Sequence, residues 1–92
     1  MAISTTVHGA TMTITADGLT VQNVDHLVQI IVNMPNGRDL GAVVSVADDG
    51  SLTADVPYEG GGAYMITIYE KDATVALDSW TGKIPPAIPH HR

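Results

Sequence analysis

The chain has 92 residues, enough for one small domain with a single core. Four Lys and Arg against ten Asp and Glu leave a net charge of −6 at pH 7, which repels phosphate backbones and anionic lipid and excludes nucleic acid and membrane surfaces as expected partners. With 45% apolar and 15% charged residues the chain can bury a core and does not read as disordered, and without Cys it has no disulfide framework, thiolate zinc site or thiol nucleophile.

Residues 1–9 read as an N-terminal arm, sticky from Ile3 to Val7. No basic segment precedes an apolar run, and no uninterrupted apolar stretch approaches the roughly 18 residues that span a bilayer, so neither a signal peptide nor a membrane helix is expected. With Met1 as the natural start, the chain is expected to be made and used in the cytoplasm or assembled there into something larger; with Met1 not the natural start, a removed leader is the alternative. The first strand is expected where Ala10, Met12, Ile14 and Ala16 alternate with Thr11, Thr13 and Thr15, the period of a sheet with one dry and one wet face. Asp17-Gly18 ends it. A second strand spans about residues 26–34, with Val28, Ile30, Val32 and Met34 on one face. Its other face, Leu27, Gln29, Ile31 and Asn33, is half apolar, which predicts a central strand or one covered by a partner.

Pro35-Asn36-Gly37 reverses the chain, because Pro presets the first corner and Asn and Gly accept the left-handed region. Leu40, Ala42, Val44 and Val46 form the third alternating set, Asp48-Asp49-Gly50 the next hairpin, and Leu52, Ala54 and Val56 the fourth strand, stopped by Pro57. Gly60-Gly61-Gly62 is a crossing before a fifth strand in which Tyr64, Ile66 and Ile68 alternate with Met65, Thr67 and Tyr69. After the turn at Lys71-Asp72 the last strand runs from about residue 74 to 83. There Val75 and Leu77 have the opposite parity to Trp80, so either a bulge reorients Trp80 or it faces outward.

No stretch carries an apolar helical stripe, and turn signals recur every 8 to 12 residues or so, which predicts an all-β chain. The expected architecture is an antiparallel two-sheet sandwich of six or seven strands over residues 10–83, with Ile30, Val32, Val44, Ile66 and Ile68 in its core. Residues 84–92 form a Pro-rich tail expected to run extended, since its prolines lack the N–H groups a central strand needs.

The succession Gly18-Leu19-Thr20, Pro35-Asn36-Gly37, Asp49-Gly50-Ser51, and Gly62-Ala63-Tyr64, each set before or after a strand, resembles the immunoglobulin-like domains of bacteria and phages over roughly residues 10–82. The chain lacks that fold's inter-sheet Cys pair and a Trp on the third strand, so an antibody-type core is not implied. What the resemblance implies is an immunoglobulin-like sandwich with a structural, adhesive or assembly role and no catalytic residues to carry over.

Candidate chemistry is sparse. Asp39, Asp48 and Asp49 lack the spacing and closing Glu of a calcium loop, and His90-His91 lacks a third ligand, so no metal and no cofactor is expected. His8 and His26 have no positioned nucleophile, and Ser79 lies within a predicted strand with no Gly-x-Ser-x-Gly elbow, so an enzyme is not expected. Gly60-Gly61-Gly62 lacks the spacing, Lys and helix of a phosphate loop. Tyr58, Tyr69 and Trp80 are candidates for a flat surface that stacks on sugar rings or anchors a protein, with Trp80 in the core as the competing reading. Ile84 and Ile88 are apolar for an idle tail and are expected to dock on a neighbour.

The expected function is a non-catalytic structural or assembly protein, most concretely a phage virion component: a capsid decoration (cement) protein or a tail-associated immunoglobulin-like protein. Its partners are then copies of itself, with a homotrimer the first expectation, or capsid and tail proteins, and its place is the virion, assembled in the host cytoplasm. The alternative is an extracellular cell-surface adhesion or carbohydrate-binding module.

Overall fold

The computed structural model describes residues 2–84, apart from the side chain of Ala2, and holds seven strands and no helix among them. They are β1 (Ala2–His8), β2 (Thr11–Asp17), β3 (Leu27–Asn33), β4 (Asp39–Ser45), β5 (Leu52–Pro57), β6 (Gly62–Glu70) and β7 (Ala76–Ile84). A three-stranded sheet has the order β1-β2-β5 and a four-stranded sheet the order β4-β3-β6-β7, with every pair antiparallel. The chain is thus an all-β two-sheet sandwich, in which β1 lies near β7 along one side and β4 near β5 along the other. Its β4 pairs with β3, whereas the fourth strand of a constant-type immunoglobulin domain lies beside the fifth.

Alternation builds the core. Met12, Ile14 and Ala16 from β2, with Leu52, Ala54 and Val56 from β5, face Val28, Ile30 and Val32 from β3, with Tyr64, Ile66 and Ile68 from β6, and all are buried. Their neighbours in sequence point out, as a period of two requires. Of the expected core, Ile30, Val32, Ile66 and Ile68 are buried, while Val44 is only half-buried because β4 is an edge strand with no neighbour beyond it.

The segment expected to be an arm, residues 1–9, carries β1 instead. Its seven residues pair in full with β2 across the Gly9-Ala10 turn, and Ile3, Thr5 and Val7 share the half-buried inner face. The same alternation that marks the other strands is present there, with Ser4, Thr6 and His8 outward. At the other end, Ile84 closes β7 opposite Gly62 and is 5% exposed, so it belongs to this domain's own core and is not free to dock on a neighbour. The sandwich therefore extends to Ala2 and Ile84. Ile88 and the rest of the expected tail, residues 85–92, lie outside the described residues.

The last strand resolves the parity conflict by a bulge. The register passes from Ile68↔Asp78 to Tyr69↔Ala76, leaving Leu77 without an opposite residue. Before the bulge Leu77 packs toward the core, and after it Trp80 stands opposite Ile66 on the core face, partly buried against the same cluster. Tyr64, opposite Gly82, donates its hydroxyl to the Gly60 carbonyl at 2.5 Å. A Tyr on the sixth strand bonded to backbone a few residues upstream is the corner that pins Greek-key sandwiches at this crossing.

Candidate functional site

The outward faces of the two sheets differ in chemistry. On the three-stranded sheet the register places Ser4, Thr15 and Thr53 in one row and Thr6, Thr13 and Asp55 in the next. Ser4 Oγ and Thr15 Oγ1 are 2.6 Å apart, and Thr13 Oγ1 donates to Asp55 Oδ1 at 2.7 Å. Short polar side chains, two pairs of them hydrogen-bonded across strands, make this the wet face.

The four-stranded sheet turns outward a different set. Its rows read Val43, Gln29, Tyr69; then Gly41, Ile31, Thr67, Ser79; then Asp39, Asn33, Met65, Thr81. Val43, Ile31 and Met65 lie on one diagonal, where side chains on adjacent strands come within roughly 7 to 8 Å of each other. Val43 is 54% and Met65 43% exposed. The carboxylate in these rows, Asp39, is held at the margin by Asn33 Nδ2 at 2.7 Å. Two shallow depressions flank the diagonal: one of about 400 Å³ beside Met65, Thr81 and Lys83, and one of about 320 Å³ beside Gln29, Ile31 and Tyr69. An apolar diagonal ringed by polar groups, with Asp39 and Lys83 at its margin, is suited to protein contact.

The loops 18–26, 46–51 and 71–75 gather at one end of the sandwich. Leu19 N donates to Gly50 O at 3.0 Å and Lys71 N to Leu27 O at 3.1 Å. A Cβ on Gly50, whose φ is +85°, would lie 2.8 Å from the Leu19 carbonyl, so this close approach requires glycine. Glu70 fastens the longest of these loops: its Oε1 accepts the Gln22 N–H, the Asn23 N–H at 2.6 Å and Asn23 Nδ2 at 3.3 Å. Val24 and Val75 stand out from two of the loops at 91% and 76% exposure.

A polar cleft of about 390 Å³ opens at this end, lined in part by Leu19, Thr20, His26, Asp48 and Asp49. His26 Nδ1 lies 4.0 Å from Asp48 Oδ1 with both side chains in solvent, a pair worth little. Asp49 is engaged by its own turn, with Oδ1 accepting Ser51 N at 3.0 Å and Ser51 Oγ at 2.6 Å, and the serine hydroxyl holds its carboxyl below the ordinary carboxylate value. The three acids considered for calcium are thus apart in role: Asp39 with Asn33, Asp48 by His26, Asp49 with Ser51. Among the described residues no three His, Cys, Asp or Glu side chains converge as metal ligands.

The aromatic candidates do not share a surface. Tyr58 is half-buried at the opposite end and stacks on Tyr64, ring centres 6.3 Å apart. Trp80 lies on the core face of β7, and Tyr69 on the outward face of β6. Tyr69 therefore remains on a surface suited to contact, with Ile31 beside it. The sequence signal for that surface was the half-apolar second face of β3; Val43 and Met65 were hidden because the partner strands that bring them alongside Ile31 are distant in sequence.

Comparison with protein-family models, curated proteins and solved structures finds no match for the chain.

Proposed function

We propose that the chain is a non-catalytic assembly module, a virion component of the capsid decoration or tail-associated kind, that docks on other proteins through the outward face of its four-stranded sheet. The observation that carries this reading is the diagonal Val43, Ile31, Met65, with Val43 and Met65 exposed and Ile31 and the adjacent Tyr69 half-buried, on an acidic chain whose carboxylates lie elsewhere or at its margin. An apolar patch ringed by polar groups gains by being covered, and a face whose charges, Asp39 and Lys83, lie at its margin can be covered without stranding ions. The resemblance to immunoglobulin-like domains of phages supplies the virion setting.

The test is co-sedimentation of the protein with particles assembled from the shell proteins encoded beside its gene. The expected result is saturable binding that Ile31→Lys or Met65→Lys abolishes while the melting temperature holds. A protein that stays in the supernatant and binds selectively on a glycan array would replace this reading with the adhesion module.

A further inference from the structure

The β4 edge is built to pair with itself. At the two ends of the β3–β4 ladder Met34 N donates to Arg38 O at 2.9 Å and Val46 N to His26 O at 2.8 Å. Between them the register runs from Asn33↔Asp39 to Leu27↔Ser45 without a bulge. Hydrogen-bonded and non-bonded pairs alternate in an antiparallel ladder, so Leu40, Ala42 and Val44 spend their backbone groups on β3. Those of Asp39, Gly41, Val43 and Ser45 point away from the sheet. A regular, extended edge of this kind is a template for another strand unless Lys, Pro or a bulge guards it. Within β4 none of these occurs, and its one charge is Asp39 at the end.

The other edges are less open. β7 is broken by its bulge at Leu77 and carries Asp78 and Lys83, and β5 carries Asp55 and ends in Pro57. β1 is uncharged, but only Ile3, Thr5 and Val7 present backbone N–H and C=O groups along its free edge, one residue fewer than β4, because its two-residue turn commits those of His8, Thr6 and Ser4 to β2.

We infer that β4 pairs antiparallel with β4 of a second copy across a two-fold axis through Ala42, joining the two four-stranded sheets into one. In this register Asp39 faces Ser45, Gly41 faces Val43 and Leu40 faces Val44 of the second copy. Each outward-pointing residue meets another, giving about eight backbone hydrogen bonds between the chains. The arrangement is self-complementary, as a two-fold interface must be. Above the sheet the other copy's Val43 meets Ile31 and Gln29, whose Cδ1 and Nε2 lie 3.6 and 3.8 Å from where a Cβ on Gly41 would stand, and each half-buried Leu40 covers a half-buried Val44 at the lip of the core. The two Asp39 carboxylates are kept at opposite ends, which matters in a chain of net charge −6. The outward apolar diagonals of both copies then lie on one continuous face. The pairing holds whether or not the protein works on a virion, and its test does not use particles.

The experiment is sedimentation equilibrium of the full chain over a wide concentration range, with three variants. Val43→Pro removes an outward N–H without touching the β3 ladder and is expected to raise the dimer dissociation constant at least about tenfold. Val43→Lys guards the same edge if the proline variant does not fold, and the same weakening is expected. Ala42→Cys places the chain's only thiol on the axis, where a non-hydrogen-bonded pair brings the Cα atoms to about 4.5 Å, within disulfide range. It is expected to oxidise to a covalent dimer much faster than Ser45→Cys, whose opposite residue is Asp39. A monomer at every concentration overturns the inference. So does a dimer that ignores the Val43 variants, with no faster cross-linking at Ala42 than at Ser45.

Discussion

The Trp80 indole lies directly over Gly82, two residues along the same face of β7: a Cβ added at Gly82 would sit 2.7 Å from the ring's Cζ2. The glycine is the floor on which the indole rests, opposite Tyr64, and its missing side chain lets the ring lie flat against the core cluster. Gly82→Val is therefore expected to lift the ring into solvent. Overpacking of this kind costs about 1 to 3 kcal/mol. Since Trp80 is the only tryptophan, a red-shifted emission maximum with a lowered melting temperature reports it directly, and an unshifted spectrum would show that the ring does not depend on Gly82.

Tyr64→Phe deletes the hydroxyl bonded to Gly60 and is expected to lose about 0.5 to 1.5 kcal/mol in urea unfolding. Burial raises the Tyr64 phenol above its ordinary value of 10.0. The neutral form is thus favoured in the folded state, so its contribution to stability is whole below pH 10 and is lost as pH rises from there through the raised value. Wild type should lose stability more steeply than Tyr64→Phe in that alkaline window.

Glu70→Ala frees the loop 18–26 by removing the acceptor for the Gln22 and Asn23 amides. The expected outcome is faster hydrogen exchange at those two amides and a stability loss of about 1 to 3 kcal/mol. Glu70→Gln retains an acceptor oxygen and should lose less.

Ile66 is fully buried opposite Val32 and Trp80. Ile66→Ala leaves a cavity between the sheets and is expected to cost about 2 to 5 kcal/mol in denaturant unfolding. A cost below about half a kcal/mol would mean that the sheet faces are inverted.

Asp39, Asp48 and Asp49 each have a protein partner, and the melting temperature is expected to be the same with and without excess EDTA. A drop of several degrees would point to a cation held near Asp48 and Asp49.

Six of the seven strands and the core parity of β2, β3, β5 and β6 were determined by the sequence, because alternation and turn chemistry are local: Pro35-Asn36-Gly37 and Asp49-Gly50 fix reversals whatever surrounds them. Only the tertiary structure decided that residues 2–8 are an edge strand and that Ile84 is core, since an alternating segment becomes a strand only when a neighbour accepts its hydrogen bonds. It also decided Trp80, whose side depends on a bulge placed by the match between β6 and β7. The candidate face was decided in the same way. Ile31 was legible as an apolar residue on the wrong parity, but its neighbours Val43 and Met65 come from β4 and β6, and register between strands is set by the packing of the whole core.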